Sequence, residues 1–334
     1  MTLEEIAKKM CAKGKGILAA DESTGTMDKR LTSVGVECTD KNRLSFRETL
    51  FTSDAMKNYI GGVILFDATI RERTSKGISI PELLKENNSV VGIKVDKGAK
   101  KLANSPEETI TEGLDGLRER LNEYYNLGAR FTKWRAVYNI RKNYPSAQSI
   151  KSNAHALARY SALVQEANMV PIVEPEVLMD GDHDIDTCLK VTTDVLNECF
   201  NELVIQKVSL KGIVLKPNMV VPGFKSSKKV TSEEVAKKTL DCLKKNVPSD
   251  VPGIAFLSGG QSEQEATNNL DAINKINDTD FLITYSFGRA LQQSALKTWA
   301  KEMSNTKAIH DVFNHRAKMN GLASKGEWSQ ALEV

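Results

Sequence analysis

The chain has little of what usually marks a protein that spans, tethers or scaffolds. Its 334 residues contain no low-complexity tract, and no proline- or glycine-rich linker divides them. No apolar run approaches the roughly 18 residues that a membrane span needs, so no membrane partner is expected. Net charge is only +3, from 46 basic and 43 acidic residues, without a basic tail or stripe, so no nucleic-acid partner is expected either. Runs such as Lys97-Gly-Ala-Lys-Lys101 read as a solvated face. The five cysteines (Cys11, Cys38, Cys188, Cys199 and Cys242) are odd in number and lack any Cys-x-x-Cys spacing, which fits a reducing, cytoplasmic setting. Cys188 and Cys199 are three helical turns apart and are expected to pack on one helix face.

Histidine is also scarce. There are four: His155, His310 and His315 fall in helical stretches, and His183 falls in a Gly-Asp-His-Asp helix-entry loop. None forms a metal-ligand spacing, so no metal is expected. No strand is followed by Gly-x-Gly-x-x-Gly, which weakens the case for a doubly wound open sheet.

What is present is 40% apolar residues, enough for a sizeable core, in short β-type runs alternating with helices. Eight strands are predicted at 15–21, 61–67, 90–96, 129–137, 169–177, 211–217, 252–259 and 280–286. Helices are predicted at about 183–206, 231–246, 290–303 and 305–319. Pro145-Ser146 leads into a long helix ending near Asn168, and Ser262–Glu265 is a capping box. Ser105-Pro106-Glu107-Glu108 reads as a further helix start, with an N-cap serine and proline at the first helical position. The N-terminal segment from Met1 to Met10 reads as a surface helix and not a signal peptide. Eight alternations point to a (β/α)8 TIM barrel, one domain over 1–334 with extra N- and C-terminal helices and a short tail at 322–334.

In such barrels chemistry sits at the C-terminal strand ends. Here those ends carry Asp21, Asp67, Lys94 with Asp96, Lys133 with Arg135, Glu174 with Glu176, Lys216, Ser258-Gly259-Gly260, and Ser286 with Arg289. Members of an i, i+2 pair on a strand face one side, so these groups should ring a shared cavity. Lys216 closes the apolar run Gly212-Ile-Val-Leu215, where lysine is rare without a reason. A free lysine is neutral in only about one molecule in 2,500 at pH 7, and only the neutral amine is a nucleophile. Burial and neighbouring cations favour the neutral form, and a drop of about three pKa units costs about 4 kcal/mol. A strand-end lysine could instead snorkel or pair with one carboxylate. A lysine among carboxylates suits Schiff-base formation with a carbonyl substrate, and the turns after strands seven and eight are placed to bind phosphate through backbone N–H groups.

The motifs GILAADES, GIKVDKG, KWR, VEPE, LKPNMV, FLSGGQS and SFGRALQ, in this order, closely resemble class I fructose-1,6-bisphosphate aldolase from the N-terminal helix to about residue 325. The resemblance implies a (β/α)8 barrel, usually a homotetramer without a cofactor. It also implies reversible cleavage of fructose 1,6-bisphosphate to dihydroxyacetone phosphate and glyceraldehyde 3-phosphate, in glycolysis and gluconeogenesis. Lys216 is then the Schiff-base lysine, Glu174 the general acid/base, and Asp21 the carboxylate for the C4 hydroxyl proton. Lys133 and Glu176 line the same cavity. Ser23, Thr26 and Lys94 match the 6-phosphate site; Arg30 and Arg43 match basic residues of the substrate mouth, and Arg135 a substrate-binding position. Ser258, Gly259, Gly260, Ser286, Gly288 and Arg289 match the 1-phosphate site. Long-tailed members end in a tyrosine used for proton exchange, whereas this chain ends in Val334 and its last tyrosine is Tyr285. Exchange on dihydroxyacetone phosphate is therefore expected to be slow relative to cleavage. Other Schiff-base barrels, such as a transaldolase or a pyruvate-type lyase, fit the paired phosphate turns less well. A non-catalytic scaffold would be expected to have lost Lys216, Glu174 or Asp21.

Overall fold

The computed structural model describes residues 1–333. Ten strands occur: β1 (Gly16–Ala20), β2 (Ile60–Leu65), β3 (Val90–Lys94), β4 (Ala99–Leu102), β5 (Ser105–Thr111), β6 (Phe131–Tyr138), β7 (Val170–Val177), β8 (Val214–Leu215), β9 (Gly253–Phe256) and β10 (Leu282–Phe287). Eight of them close into a parallel barrel in the order β1-β2-β3-β6-β7-β8-β9-β10 and back to β1. These are the eight predicted strands, each with ends trimmed or shifted by a few residues.

Two apolar layers follow from strand alternation. Inward-facing Ile17, Ile64, Val90, Phe131, Val170, Ile172, Val214 and Ala255 fill the barrel, and outward-facing residues meet the helices. The Phe131 ring occupies the space a side chain at residue 92 would take: a Cβ on Gly92 would lie 2.1 Å from Phe131 Cζ. The helix Leu3–Met10 is not simply a surface helix. Its Ile6, Ala7 and Met10 join the inner cluster and close the end of the barrel opposite the strand C-termini, while Lys8 stays in solvent.

Two expectations need correction. Ser105-Pro106-Glu107-Glu108 does not start a helix; it opens β5, which pairs antiparallel with β4. Asn104 takes a positive φ of 61° in the intervening turn, and Thr109, Ile110 and Thr111 favour an extended chain. Ser105 donates to Glu108, whose carboxylate also accepts from the Ser146 N–H and hydroxyl, so the serine–glutamate pair ties a hairpin to the helix Ala147–Glu166. The second correction concerns β8, which is two residues long and not seven. A 3-10 turn at Leu210–Gly212 precedes it, and Pro217, which has no N–H to give, follows Lys216.

The other helix expectations hold within a few residues: Ala147–Glu166 capped by Ser146, Ile185–Ile205, Ser232–Asn246, Glu263–Lys275 with its capping box, Arg289–Lys301 and Thr306–Ala323. Cys188 and Cys199 are both buried on Ile185–Ile205. After Ala323 the chain remains attached. Trp328 is buried, its N–H donates to Asp271 Oδ1, and Glu333 accepts two bonds from Arg316. No helix among the described residues is long and apolar enough to cross a membrane.

Candidate active site

The strand C-termini open into a cavity of about 1250 Å³, beyond the usual ~300–1,000 Å³ of ligand pockets. At its floor, three barrel strands and the end of β1 bring four charges together. The backbone N–H of Lys216 donates to Val173 O, 2.8 Å, so the ladder of β7 and β8 runs one residue past β8 and fixes where the lysine projects. Lys216 Nζ lies 3.1 Å from Glu174 Oε1, and both side chains are about 95% buried. The other oxygen of Glu174 is 3.3 Å from Lys133 Nζ, which also lies 2.8 Å from Asp21 Oδ2. The order is therefore Lys216, Glu174, Lys133, Asp21, alternating in sign.

Alternation is what allows four charges to be buried together. Burial opposes ionisation of Asp21, but Lys133 and then Lys216 outweigh it and hold the carboxyl at about 2. Glu174 is likewise opposed by burial and is carried below the ordinary glutamate value by Lys133, Lys216 and Arg135. Lys133 loses to burial but gains more from Asp21 and Glu174, which push it above the ordinary lysine range. Both carboxylates are thus ionised at neutral pH. The lysine expected among cations has a carboxylate oxygen as its near charged neighbour.

The i, i+2 pairs face the cavity together. Arg135 pairs with Glu176 across β6 and β7, and Lys94 lies 2.7 Å from Asp96. On the first βα turn, Ser23 caps the helix Thr24–Thr32, and its hydroxyl lies 3.1 Å from that of Thr26; both line the cavity with Lys94 and Arg30. On the adjoining part of the rim, on the turns after β9 and β10, lie Ser258, Gly259, Ser286, Gly288 and Arg289. Arg289 Nη2 donates to Gly259 O at 3.0 Å and so joins the turns after β9 and β10. Ser286 Oγ is buried without a partner, leaving a hydroxyl free at that rim.

Two expected site residues lie elsewhere. Gly260 does not line the cavity; its α-carbon is covered from outside by Phe224, whose Cζ would be 1.7 Å from a Cβ there. Arg43 is turned away and pairs with Asp40. One helical turn later, Arg47, unanticipated from sequence, reaches Glu22 and is almost fully buried. Tyr285 is also remote in function: it is buried in β10 and donates to Tyr59 O, 2.9 Å.

The histidines do not gather. His155 contacts Glu202, His310 contacts Thr49 O, His315 lies 3.5 Å from Glu333, and His183 is buried without a hydrogen-bond partner. Among the described residues no group of three or more His, Cys, Asp or Glu is placed to hold a metal ion.

Fold and cavity define the class: a (β/α)8-barrel enzyme with alternating lysines and carboxylates at the strand C-termini. Comparison narrows it. The class-I fructose-bisphosphate aldolase family model matches residues 2–333. A probable class 1 fructose-bisphosphate aldolase of Xanthomonas campestris is 50% identical over 98% of both chains. Cytoplasmic isozyme 1 of Pisum sativum is 50% identical over 96% of this chain and 90% of its own. The solved Plasmodium falciparum fructose-bisphosphate aldolase, in complex with TRAP and a small-molecule inhibitor, superposes with a TM-score of 0.96 at 44% identity, covering 98% of this chain and 95% of that one. The chain belongs to the class I fructose-bisphosphate aldolase family. Its activity is that of this glycolytic lyase family, reversible aldol cleavage of fructose 1,6-bisphosphate, which the class performs through a lysine Schiff base.

Proposed function

We propose that Lys216 is the amine that forms the Schiff base and that Glu174, Asp21, Lys133 and Glu176 serve it. The observation that carries this reading is the 3.1 Å contact between Lys216 Nζ and Glu174 Oε1 in a buried setting. Glu174 can take a proton from the amine as Nζ attacks the C2 carbonyl. It can then return one to the departing hydroxyl, so that the carbinolamine loses water and becomes an iminium. A carboxylate then removes the C4 hydroxyl proton; Asp21, ionised over the neutral range, fits that role. The C3–C4 bond breaks with its electrons flowing to the iminium nitrogen, glyceraldehyde 3-phosphate leaves, and the enamine remains on Lys216. Protonation at C3 and hydrolysis release dihydroxyacetone phosphate. Lys133 bridges Asp21 and Glu174 and keeps both ionised between turnovers.

The two phosphates would sit at separate places on the rim. Ser23, Thr26 and Lys94 offer hydroxyls and an ammonium on one side. The turns bearing Ser258, Gly259, Ser286, Gly288 and Arg289 offer backbone N–H groups, free hydroxyls and a guanidinium on the other. Arg30, whose Nη2 reaches the Gly288 turn, adds a second guanidinium to that side, while Arg135 pairs with Glu176. Arg289→Ala is the test of this polarity. KM for fructose 1,6-bisphosphate should rise about tenfold, backbone donors limiting the loss, and preference for 1-phosphorylated substrates should fall. Unchanged kinetics on every sugar phosphate would refute the assignment. The assembly is proposed to be a cytoplasmic homotetramer of single-domain subunits acting on sugar phosphates. Relatives named cytoplasmic and cytosolic isozymes support the location.

A further inference from the structure

The residue after Asp21 has no part in the scheme above, yet it is the centre of the most connected buried polar cluster on the β1 side of the cavity. Glu22 is 9% exposed. Its Oε1 accepts from Arg30 Nη1 at 2.5 Å and from Gln292 Nε2 at 3.2 Å. The same Gln292 nitrogen lies 2.8 Å from Ala19 O and 3.3 Å from Gly288 O, so one amide spans the end of β1 and the turn after β10. From behind, Arg47 Nη2 donates to Glu22 O at 3.1 Å and stands 3.7 Å from Oε2, while its Nη1 donates to Thr69 Oγ1 at 2.6 Å. Arg47 is 2% exposed and has no route to the cavity.

The two arginines are therefore unequal. Arg47 is wholly internal and compensates the charge of Glu22. Arg30 has one edge on the carboxylate and the other on the cavity: a Cβ built on Gly288 would lie 3.5 Å from Arg30 Nη2. A guanidinium is a rigid planar fork, so fixing one nitrogen aims the others. An arginine on the short helix Thr24–Thr32 would otherwise sample several rotamers, and holding one of them costs side-chain entropy.

We propose that Glu22, seated by Gln292 and Arg47, is a positioning residue that holds Arg30 Nη1 so that Nη2 is presented over the Gly288 turn to a substrate phosphate. The inference rests on the assignment of Arg30 and the Gly288–Arg289 turn to phosphate binding. A bland alternative is that Glu22 merely pins the first helix to the barrel. The two differ in whether Arg30 is required for the effect.

The experiment is a double-mutant cycle on the full chain, with steady-state kinetics on fructose 1,6-bisphosphate and competitive inhibition by inorganic phosphate. Glu22→Ala and Arg30→Ala should each raise KM and the phosphate inhibition constant about tenfold, with kcat within about twofold. The double variant should be no worse than Arg30→Ala alone. Glu22→Gln keeps the volume and an acceptor oxygen and should lose only about threefold; if Glu22→Ala does not fold, this variant and Gln292→Leu carry the cycle with the same expected dependence on Arg30. A Glu22 effect equally large without Arg30 would overturn the proposal, leaving Arg30 as a phosphate ligand. An Arg30→Ala variant with unchanged KM and inhibition would instead refute the phosphate assignment of Arg30 itself, and the proposal with it.

Discussion

At the scale of single residues, Lys133 decides the character of the site. It forms no bond to substrate in the scheme, but the two carboxylates that move protons depend on it. Replacing it with methionine should cost about 3–5 kcal/mol of stability at pH 7, the usual consequence of breaking a buried pair and stranding its partner. The pH dependence follows in sign. The folded Asp21 carboxyl titrates at about 2, below its ordinary 3.8, so its contribution is complete above about pH 4 and is lost as pH falls toward 2. Lys133→Met should therefore differ from the parent most at neutral pH, and the gap should narrow below pH 4. Urea denaturation at pH 7, 5 and 3 measures it. A gap that is constant with pH would mean that Lys133 acts by packing.

Residue-scale legibility from sequence was uneven, for a physical reason. Asp21 and Lys216 follow apolar strand runs directly, and Lys133 and Glu174 lie inside strands, where a charge contrasts with its surroundings. Glu22, Arg47 and Gln292 carry no such contrast. Each lies in a polar or amphipathic stretch, and their meeting depends on how two helices dock on β1. Arg43 and Arg47 show the limit well. They occupy neighbouring turns of one helix, Asp40–Phe51, and only docking determines that Arg47 enters while Arg43 stays with Asp40.

At the scale of elements, the turn after β9 is shaped from both sides. Met179 Sδ would lie 3.2 Å from a Cβ at Gly259, and Phe224 would collide with one at Gly260. Gly260→Ala should push the turn toward the cavity and raise KM for the bisphosphate about tenfold with little change in kcat. Phe224→Ala clears that space, so adding it should restore most of the lost affinity. Steady-state kinetics on the two singles and the double decide it; no rescue would show that the Phe224 ring is not what the added methyl displaces the turn against, since Gly260 has no positive φ of its own to protect. The β4–β5 hairpin illustrates the ambiguity of local signals at this scale. Serine, proline and two glutamates are good helix-start residues, but proline also suits an edge strand, and Glu108 finds its partners in Ser105 and Ser146. Strand alternation, by contrast, repeats eight times, and no single ambiguous segment could hide it.

At the scale of the whole molecule, the barrel separates support from chemistry. The helix Leu3–Met10 and the inner apolar layer close one end, and every charge assigned to the reaction is at the other. Light scattering should give a particle of about four times the 36.9 kDa chain mass if the assembly is a homotetramer; a monomer mass would remove that proposal without touching the chemistry. Dialysis against EDTA should leave cleavage unchanged, because the scheme uses only amine and carboxylate groups.

The central claim is that the amine of Lys216 bonds covalently to substrate. Borohydride added with dihydroxyacetone phosphate would reduce the iminium and fix it to the chain, and peptide mapping would locate it. The account predicts irreversible loss of activity, one adduct per chain, and that adduct on Lys216. An adduct on Lys133 or any other lysine, or activity that survives borohydride with substrate present, would contradict it.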